Sequence, residues 1–214
     1  MTAPYFQQTD LSAFQVGDYK AGPRWKVLLW YFFNYYFLHS ALPWPYGLKR
    51  FLLRAFGAKV GKGVVIKTRV RVKNPWRLRI GDHCWIGEDV WIDNLEDVAI
   101  GNHVCLSQGA MLLTGNHDYT VSSFPYRLGK IVLEDGVWIG ARSVVCPGIV
   151  CRSHAILTVN SVATKELEAQ KIYAGNPARF IRDRYKEKAD VNSLETMTFP
   201  TNGIAVQPEI KDSL

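Results

Sequence analysis

Cysteine is scarce in this sequence, and long uninterrupted apolar runs and acidic runs are missing. The 214 residues hold four cysteines, Cys84, Cys105, Cys146 and Cys151, none in a C-x-x-C pair. That removes the usual zinc-ribbon and dithiol-redox signatures. The four are expected to be reduced thiols, as in a cytosolic protein, with Cys84 and Cys151 serving as small apolar fillers. The most apolar stretch, residues 25–42, is interrupted by Asn34 and His39, too short and too broken for a secure membrane span. No basic segment leads into a cleavable apolar core at the N-terminus, so no signal peptide is expected and the expected location is cytoplasmic. The net charge is +7, with much of the excess in residues 49–79. Aromatic residues are not interleaved with that basic run and no nucleic-acid module is visible, which argues against nucleic acid as a partner. Anionic small molecules, or the anionic inner face of a membrane, suit such a balance.

What the sequence does have is a six-residue beat. Val60, Ile66 and Val72 are followed by Ile80, Ile86 and Ile92, then by Ile100, Leu106 and Leu112. After an interruption come Leu133, Ile139 and Val145, then Cys151, Leu157 and Ala163. Glycine follows the aliphatic residue at Gly61, Gly81, Gly87, Gly101 and Gly140, and a small or apolar residue stands four places on. A β-sandwich would give a two-residue alternation with irregular turns. A six-residue beat predicts a parallel β-helix instead, three hexads to a coil, with the aliphatic residue and the residue four later pointing inward.

The chain divides accordingly. Residues 1–57 are expected to form an extended arm and two helical segments. The first of these, residues 25–42, reads as a helix packed on the β-helix or on a neighbouring subunit. Peripheral membrane contact is the second reading, with Lys49, Arg50 and Arg54 meeting lipid phosphates. An amphipathic helix then runs from Tyr46 to Phe56. Residues 58–184 are the β-helix, interrupted by a loop over 118–132, and interruptions of a regular scaffold tend to carry function. A strand or turn from Ala174, then a short basic helix, lead into a tail over 185–214.

Three motifs carry a resemblance: Thr114-Gly115-Asn116-His117, Gly136-Val137-Trp138-Ile139-Gly140-Ala141, and Ala174-Gly175-Asn176-Pro177-Ala178-Arg179. With the hexads they make the chain similar to the hexapeptide-repeat acyltransferases over about residues 58–184. It most resembles the sugar O-acetyltransferases of the maltose, galactoside and colanic-acid-biosynthesis types. The resemblance implies an all-β, left-handed parallel β-helix; the hand comes from the family, since ordinary parallel crossovers are right-handed. It also implies a homotrimer with acetyl-CoA in a groove between subunits. The implied reaction is acetyl transfer to a hydroxyl of a sugar, in a surface polysaccharide or a lipid-linked glycan. An antibiotic or other small acceptor, and a non-enzymatic scaffold, are the rival readings.

Site residues follow from the same likeness. A sugar hydroxyl is a weak nucleophile, and an imidazole titrating near neutrality can take its proton as it attacks a thioester. His117, at the root of the loop, matches the family's general base. No serine or cysteine is arranged with it as a nucleophile. Asp93, with Asn94 as the alternative, matches an acidic residue that binds acceptor hydroxyls. The family's upstream acceptor-binding asparagine has no match, and Glu88 stands nearest to its place. Trp138, Ala141 and Val159 match the lining of the pantetheine channel. Thr164, Lys165, Arg179 and Arg182 match groups near the nucleotide and phosphates of the coenzyme. His83 and His103 are expected to stack in successive coils, but with no third ligand no metal site is expected.

Overall fold

A computed structural model describes residues 8–17 and 19–185. The chain divides into two units, Met1–Arg184 and Tyr185–Leu214, and every element below belongs to the first. The tail expected beyond residue 185 lies outside the described residues.

The hexads build the expected parallel coils. Face A stacks Lys59–Val60, Leu78–Ile80, Val98–Ile100, Ile131–Leu133 and Val150–Cys151. Face B stacks Val65–Ile66, Trp85–Ile86, Cys105–Leu106, Trp138–Ile139, Ile156–Leu157 and Lys171–Ala174, with Arg179–Asp183 at its end. Face C stacks Arg71–Val72, Trp91–Asp93, Met111–Leu113, Val144–Val145 and Val162–Ala163. The aliphatic positions fill one core cluster: Ile66, Ile86, Leu106, Ile139 and Leu157 stack along face B, each no more than 1% exposed. Two of the residues four places on are polar, and they are satisfied inside: Ser143 Oγ donates to Thr158 O at 2.6 Å, and Ser161 Oγ to Val159 O at 3.2 Å.

The glycines after the aliphatic positions answer to coil spacing. A Cβ on Gly81 would lie 2.6 Å from Gly101 O, and one on Gly140 would lie 2.6 Å from Thr158 C, closer than any real contact. The corners turn through left-handed backbone at His83, His103 and His154, with φ of 55°, 55° and 61°, a conformation histidine tolerates better than most residues. His83 and His103 stack as expected, centroids 5.4 Å apart and 13° between planes.

A β-helix must close its open ends, because the first coil otherwise exposes strand edges. Helix α1 (Arg24–Phe33) continues as a π-helical turn over Asn34–Leu38, and α2 (Tyr46–Ala55) follows. Together they cap the first coil. Trp30, 1% exposed, donates from Nε1 to Val72 O at 2.8 Å, and Val70 N donates to Leu38 O at 3.0 Å. Lys49, also 1% exposed, donates to Ile66 O at 3.3 Å and Lys67 O at 2.6 Å. Arg50 Nη1 reaches Val64 O at 2.7 Å, and Arg54 reaches Val60 O through Nε and Nη2 at 3.0 and 2.7 Å. Burial pushes the Lys49 pKa below the ordinary lysine value.

This capping corrects the membrane expectation in its specific form. Trp30 is buried, Phe33 and Phe37 pack against the core, and Lys49, Arg50 and Arg54 are committed to strand carbonyls. Trp30 and Lys49 are closed to a lipid surface, while Arg54 keeps exposed surface beside its bonds to the cap. No helix among the described residues is long and apolar enough to cross a membrane. The opposite face of the helical segment is open: Trp25, Leu28, Phe32 and Tyr35 are all more than half exposed.

The far end closes differently from expectation. After Ala174 come a turn and a strand, as the first half of the expectation had it, but the strand runs through Asp183 and no helix forms among the described residues there. Arg179–Asp183 pairs antiparallel with Lys171–Ala174, taking up the open edge of face B. Residues 186–188 of the expected helix lie outside the described residues.

Candidate active site

One corner of the solenoid, between faces C and A, collects the irregularities. In the first two coils it holds the 3-10 turn Pro75–Arg77 and the turn after Asn94, which add the two extra residues read from the sequence. In the third coil the same corner opens into a hairpin, Gly115–His117 antiparallel to Tyr126–Leu128. The interruption ends two residues earlier than expected, since Ile131–Leu133 already pairs with Val98–Ile100.

His117 stands on this hairpin beside a cleft of about 410 Å³ shared with Tyr119, Arg127, Cys146 and Thr164. Its ring is held on several sides. Phe124 stacks under it, with centroids 4.3 Å apart and 11° between planes, and Tyr126 is tilted against it at 5.0 Å. Phe14 of the N-terminal arm approaches at 5.8 Å. The arm is tied down by Asp10 N to Ser122 O at 2.8 Å and by Asn74 Nδ2 to Tyr19 Oη at 3.0 Å. Nδ1 lies 2.8 Å from Phe124 O. A carbonyl can only accept, so Nδ1 carries the proton and Nε2 is left as the basic nitrogen. Phe124 itself sits at φ 48°, left-handed backbone that is costly for an aromatic residue and is met most often at functional sites.

The other expected site residues fall into distinct groups. Thr164 lies in the His117 cleft, with the exposed Lys165 next in the chain. Trp138, 45% exposed, points outward from face B and donates from Nε1 to Ser107 Oγ at 2.9 Å. Its register row runs through Ile156 and Ile172 to Arg182, roughly 14 Å along the axis at one strand spacing per step. Ala141 and Val159 stack at the corner between faces B and C, where Asn160 N donates to Ala141 O at 2.9 Å. Arg179 is exposed on the final strand. One chain therefore carries two sets of these residues, separated by the width of face C. From Ala141 to Cys146 that width is at most about 17 Å of extended chain.

Asp93 and its neighbours form a separate cavity of about 220 Å³ with Tyr31, Asn34, Arg71, Lys73 and Trp91. Lys73 Nζ is 2.9 Å from Asp93 Oδ1 in an ion pair, and that buried oxygen has no other partner among the described residues. Burial works against the charge of Lys73, and Asp93 outweighs it, holding the lysine pKa above its ordinary value. Asn94 has no surface open to a ligand. It is fully buried, accepts from Asn74 N at 3.0 Å and donates to Asn74 O at 2.6 Å. The expectation of acceptor contact at Asn94 is corrected: its amide closes the corner of the second coil. Glu88 is exposed at the corner between faces B and C, and does not line the His117 cleft. Among the described residues no three His, Cys, Asp or Glu side chains converge on a metal position. All four cysteines are free, and burial pushes the Cys151 thiol up to about 12.

The fold has counterparts among known proteins. The chain is 36% identical over 176 residues to the Escherichia coli (strain K12) protein named "Putative colanic acid biosynthesis acetyltransferase WcaF", covering 82% of this chain and 97% of that one. It belongs to the hexapeptide-repeat acetyltransferases. Two solved members share the fold. The hexapeptide-repeat acetyltransferase VCA0836 of Vibrio cholerae, complexed with acetyl coenzyme A, superposes with a TM-score of 0.67 at 23% identity, over 76% of this chain and 87% of that one. A maltose O-acetyltransferase from Clostridium difficile 630 superposes at 0.66 and 21%, over 78% and 92%. No protein-family model matches the chain.

Sequence reading missed Phe14, whose arm carried no periodic signal, and the tie between His117 and the Phe124 carbonyl. The left-handed φ of Phe124 has no sequence signature, because it is imposed by the hairpin.

Proposed function

We propose that this acetyltransferase moves the acetyl group of acetyl-CoA to a hydroxyl of a sugar in surface-polysaccharide or lipid-linked glycan assembly. The observation that carries the reading is the fixed tautomer of His117, with Nδ1–H spent on the Phe124 carbonyl and Nε2 free as base. Nε2 takes the hydroxyl proton as the oxygen attacks the thioester carbon. The tetrahedral oxyanion is met by backbone N–H groups. The C–S bond then breaks, and the proton held on the imidazole passes to the departing sulfur, so coenzyme A leaves as thiol. No acyl-enzyme is involved.

The coenzyme lies in a groove between two subunits of a homotrimer. The separation of the two residue sets supports this: Trp138, Ala141, Val159, Arg179 and Arg182 come from one subunit, and His117, Thr164 and Lys165 from its neighbour. The exposed cations suit the coenzyme's phosphates. A scaffold without activity would have no use for an imidazole so held.

Free-thiol release from acetyl-CoA over a panel of sugars, glycosyl phosphates and chloramphenicol tests the reading. A sugar turned over with loss of activity in His117→Asn supports it. Chloramphenicol as the sole acceptor would transfer the chemistry to the small-molecule reading. Mixing His117→Asn with Trp138→Ala subunits tests the shared groove. Random trimers place both intact halves together at about one interface in four, so activity returns if the groove is shared and stays absent if each subunit holds a whole site.

A further inference from the structure

The cavity around Arg71 is built for a negative charge. Arg71 lies over the Trp91 ring with its guanidinium carbon 4.5 Å from the centroid, which fixes the plane of the group and leaves its edge to a ligand. Its Nε is buried and has no hydrogen-bond partner among the described residues, and no carboxylate pairs with it there. Lys73 and Asp93 neutralise one another, and Asp89, the carboxylate that feels Arg71, is held in a two-pronged pair by Arg69 and does not line the cavity, so the cavity keeps an excess of positive charge. Asn34 adds an amide: its Oδ1 accepts from Val72 N at 3.3 Å. It sits in the π-helical turn between α1 and face C, an irregularity that often marks functional positions. At about 220 Å³ the cavity is smaller than sites that enclose a whole ligand, which begin near ~300 Å³. It receives a group, not a complete acceptor.

The cavity also borders the root of the hairpin that carries His117. Asp93 pairs in register with Leu113. Its carbonyl accepts from Thr114 N at 3.3 Å and Thr114 Oγ1 at 3.0 Å, three residues before His117.

We propose that the acceptor is an anionic sugar, and that Arg71, set on Trp91 beside Lys73 and Asp93, holds its carboxylate or phosphate while Asp93 takes a neighbouring hydroxyl. This rests on the reading of the protein as a sugar acetyltransferase and narrows its substrate class. A planar guanidinium matches both oxyanions in a forked geometry.

Binding of a methyl hexoside, the corresponding hexuronate and the hexose 1-phosphate is measured by saturation-transfer NMR without acetyl-CoA, on the parent, Arg71→Gln and Arg71→Lys. The expected result is an anionic probe bound about ten- to hundredfold more tightly than the neutral one. That preference should be lost in Arg71→Gln and partly restored in Arg71→Lys, with melting temperatures unchanged. Preference for the hexuronate places the charge in the acceptor residue; preference for the 1-phosphate places it in a glycosyl phosphate. Equal or undetectable binding of all three probes, or a preference that survives Arg71→Gln, overturns the proposal. Acetylation of neutral sugars with no anionic preference would sink this inference and leave the sugar acetyltransferase standing. An Arg71-dependent preference with no sugar acetylated would do the reverse.

Discussion

Replacing Phe124 separates what holds the fold from what holds the base. The residue does two things. Its carbonyl fixes the His117 tautomer from 2.8 Å, and its ring stacks on the imidazole at 4.3 Å. It does both at φ 48°, where an L side chain costs roughly 1–2 kcal/mol. Phe124→Gly keeps the backbone conformation and relieves that strain. Against this stand the lost ring contact, about 0.5–1.5 kcal/mol, and the added freedom of the unfolded chain, about 0.5–1 kcal/mol. These contributions nearly cancel, so stability should stay within about 1 kcal/mol of the parent. Phe124→Ala loses the ring and keeps the strain, so it should be less stable than Phe124→Gly by about 1 kcal/mol, a reversal of the usual order of these two residues. Turnover responds on a larger scale. A general base contributes about 10²–10⁴-fold, and loss of its positioning can remove a hundredfold of that. Both variants should therefore lose about 10- to 100-fold in kcat. Urea denaturation at fixed protein concentration reads the stability, and thiol release reads the rate. A kcat within twofold of the parent in both variants would show that the stack does not position His117. Greater stability of the Ala variant would remove the strain at Phe124 from the account.

His117→Asn keeps a side-chain amide near the Phe124 carbonyl but has no base; turnover should fall about 10²–10⁴-fold with coenzyme affinity unchanged by calorimetry, and a parent-like rate would rule His117 out as the base. Lys49→Ala leaves the Ile66 and Lys67 carbonyls unpaired at the capped end, at about 1–3 kcal/mol each, so urea unfolding should lose about 2–5 kcal/mol; a loss below about 0.5 kcal/mol would mean that the cap is not needed. Burial sets the folded Lys49 pKa below its unfolded value, so in the window between the two the unfolded chain binds more protons and this group's contribution to stability rises with pH. Lys49→Met should lack that slope, and identical pH–stability curves for parent and variant would refute it. Liposome flotation tests the exposed outer face of α1: with Lys49, Arg50 and Arg54 committed to the cap, any co-flotation should survive high salt and fall with Phe32→Ser plus Tyr35→Ser. Binding abolished by salt would mean that cations, not these aromatics, carry it.

The fold was legible in the sequence because a solenoid writes its core at fixed intervals. Every aliphatic hexad position from Val60 to Ala163 lies inside, and the glycines beside them mark where coils touch. The ends were less legible. Lys49, Arg50 and Arg54 read as free surface charge, since nothing in a sequence tells a solvated cation from one that caps a strand edge. The segment from Ala174 read as a strand or turn and then a basic helix, because its alternation is short and its charge dense; the unpaired edge of face B extends the strand through Asp183. At the site, the Thr-Gly-Asn-His motif placed His117 where the loop begins, and it stands at the loop end of the hairpin ladder, opposite Tyr126. Asn94 looked like a candidate only because it follows Asp93; one residue of register turns a side chain from the solvent into the corner. Phe14 could not be found at all, since its contact with His117 spans the arm and the hairpin.

A regular coil leaves little room for chemistry. Inward positions are packed and outward positions lie on flat faces, so change is tolerated mainly where the beat is broken. Here the breaks gather at one corner, between faces C and A. The 3-10 turn after Asn74, the Asn74–Asn94 amide ladder, the hairpin that carries His117 and the Cys146-Pro147-Gly148 turn stack there coil upon coil. The partner offset across face A records it, from Val60 paired with Ile80 through Ile100 paired with Leu133 to Leu133 paired with Cys151. Irregular residues can be exchanged at this corner without moving the aliphatic ladder inside, because the strands on either side stay in register. On the proposed mechanism, acetyl transfer needs only the hairpin and its imidazole. The choice of acceptor can then be set one and two coils away, by side chains such as Asp93 and, beyond it, Arg71 and Lys73, which project from face C and carry no share of the core.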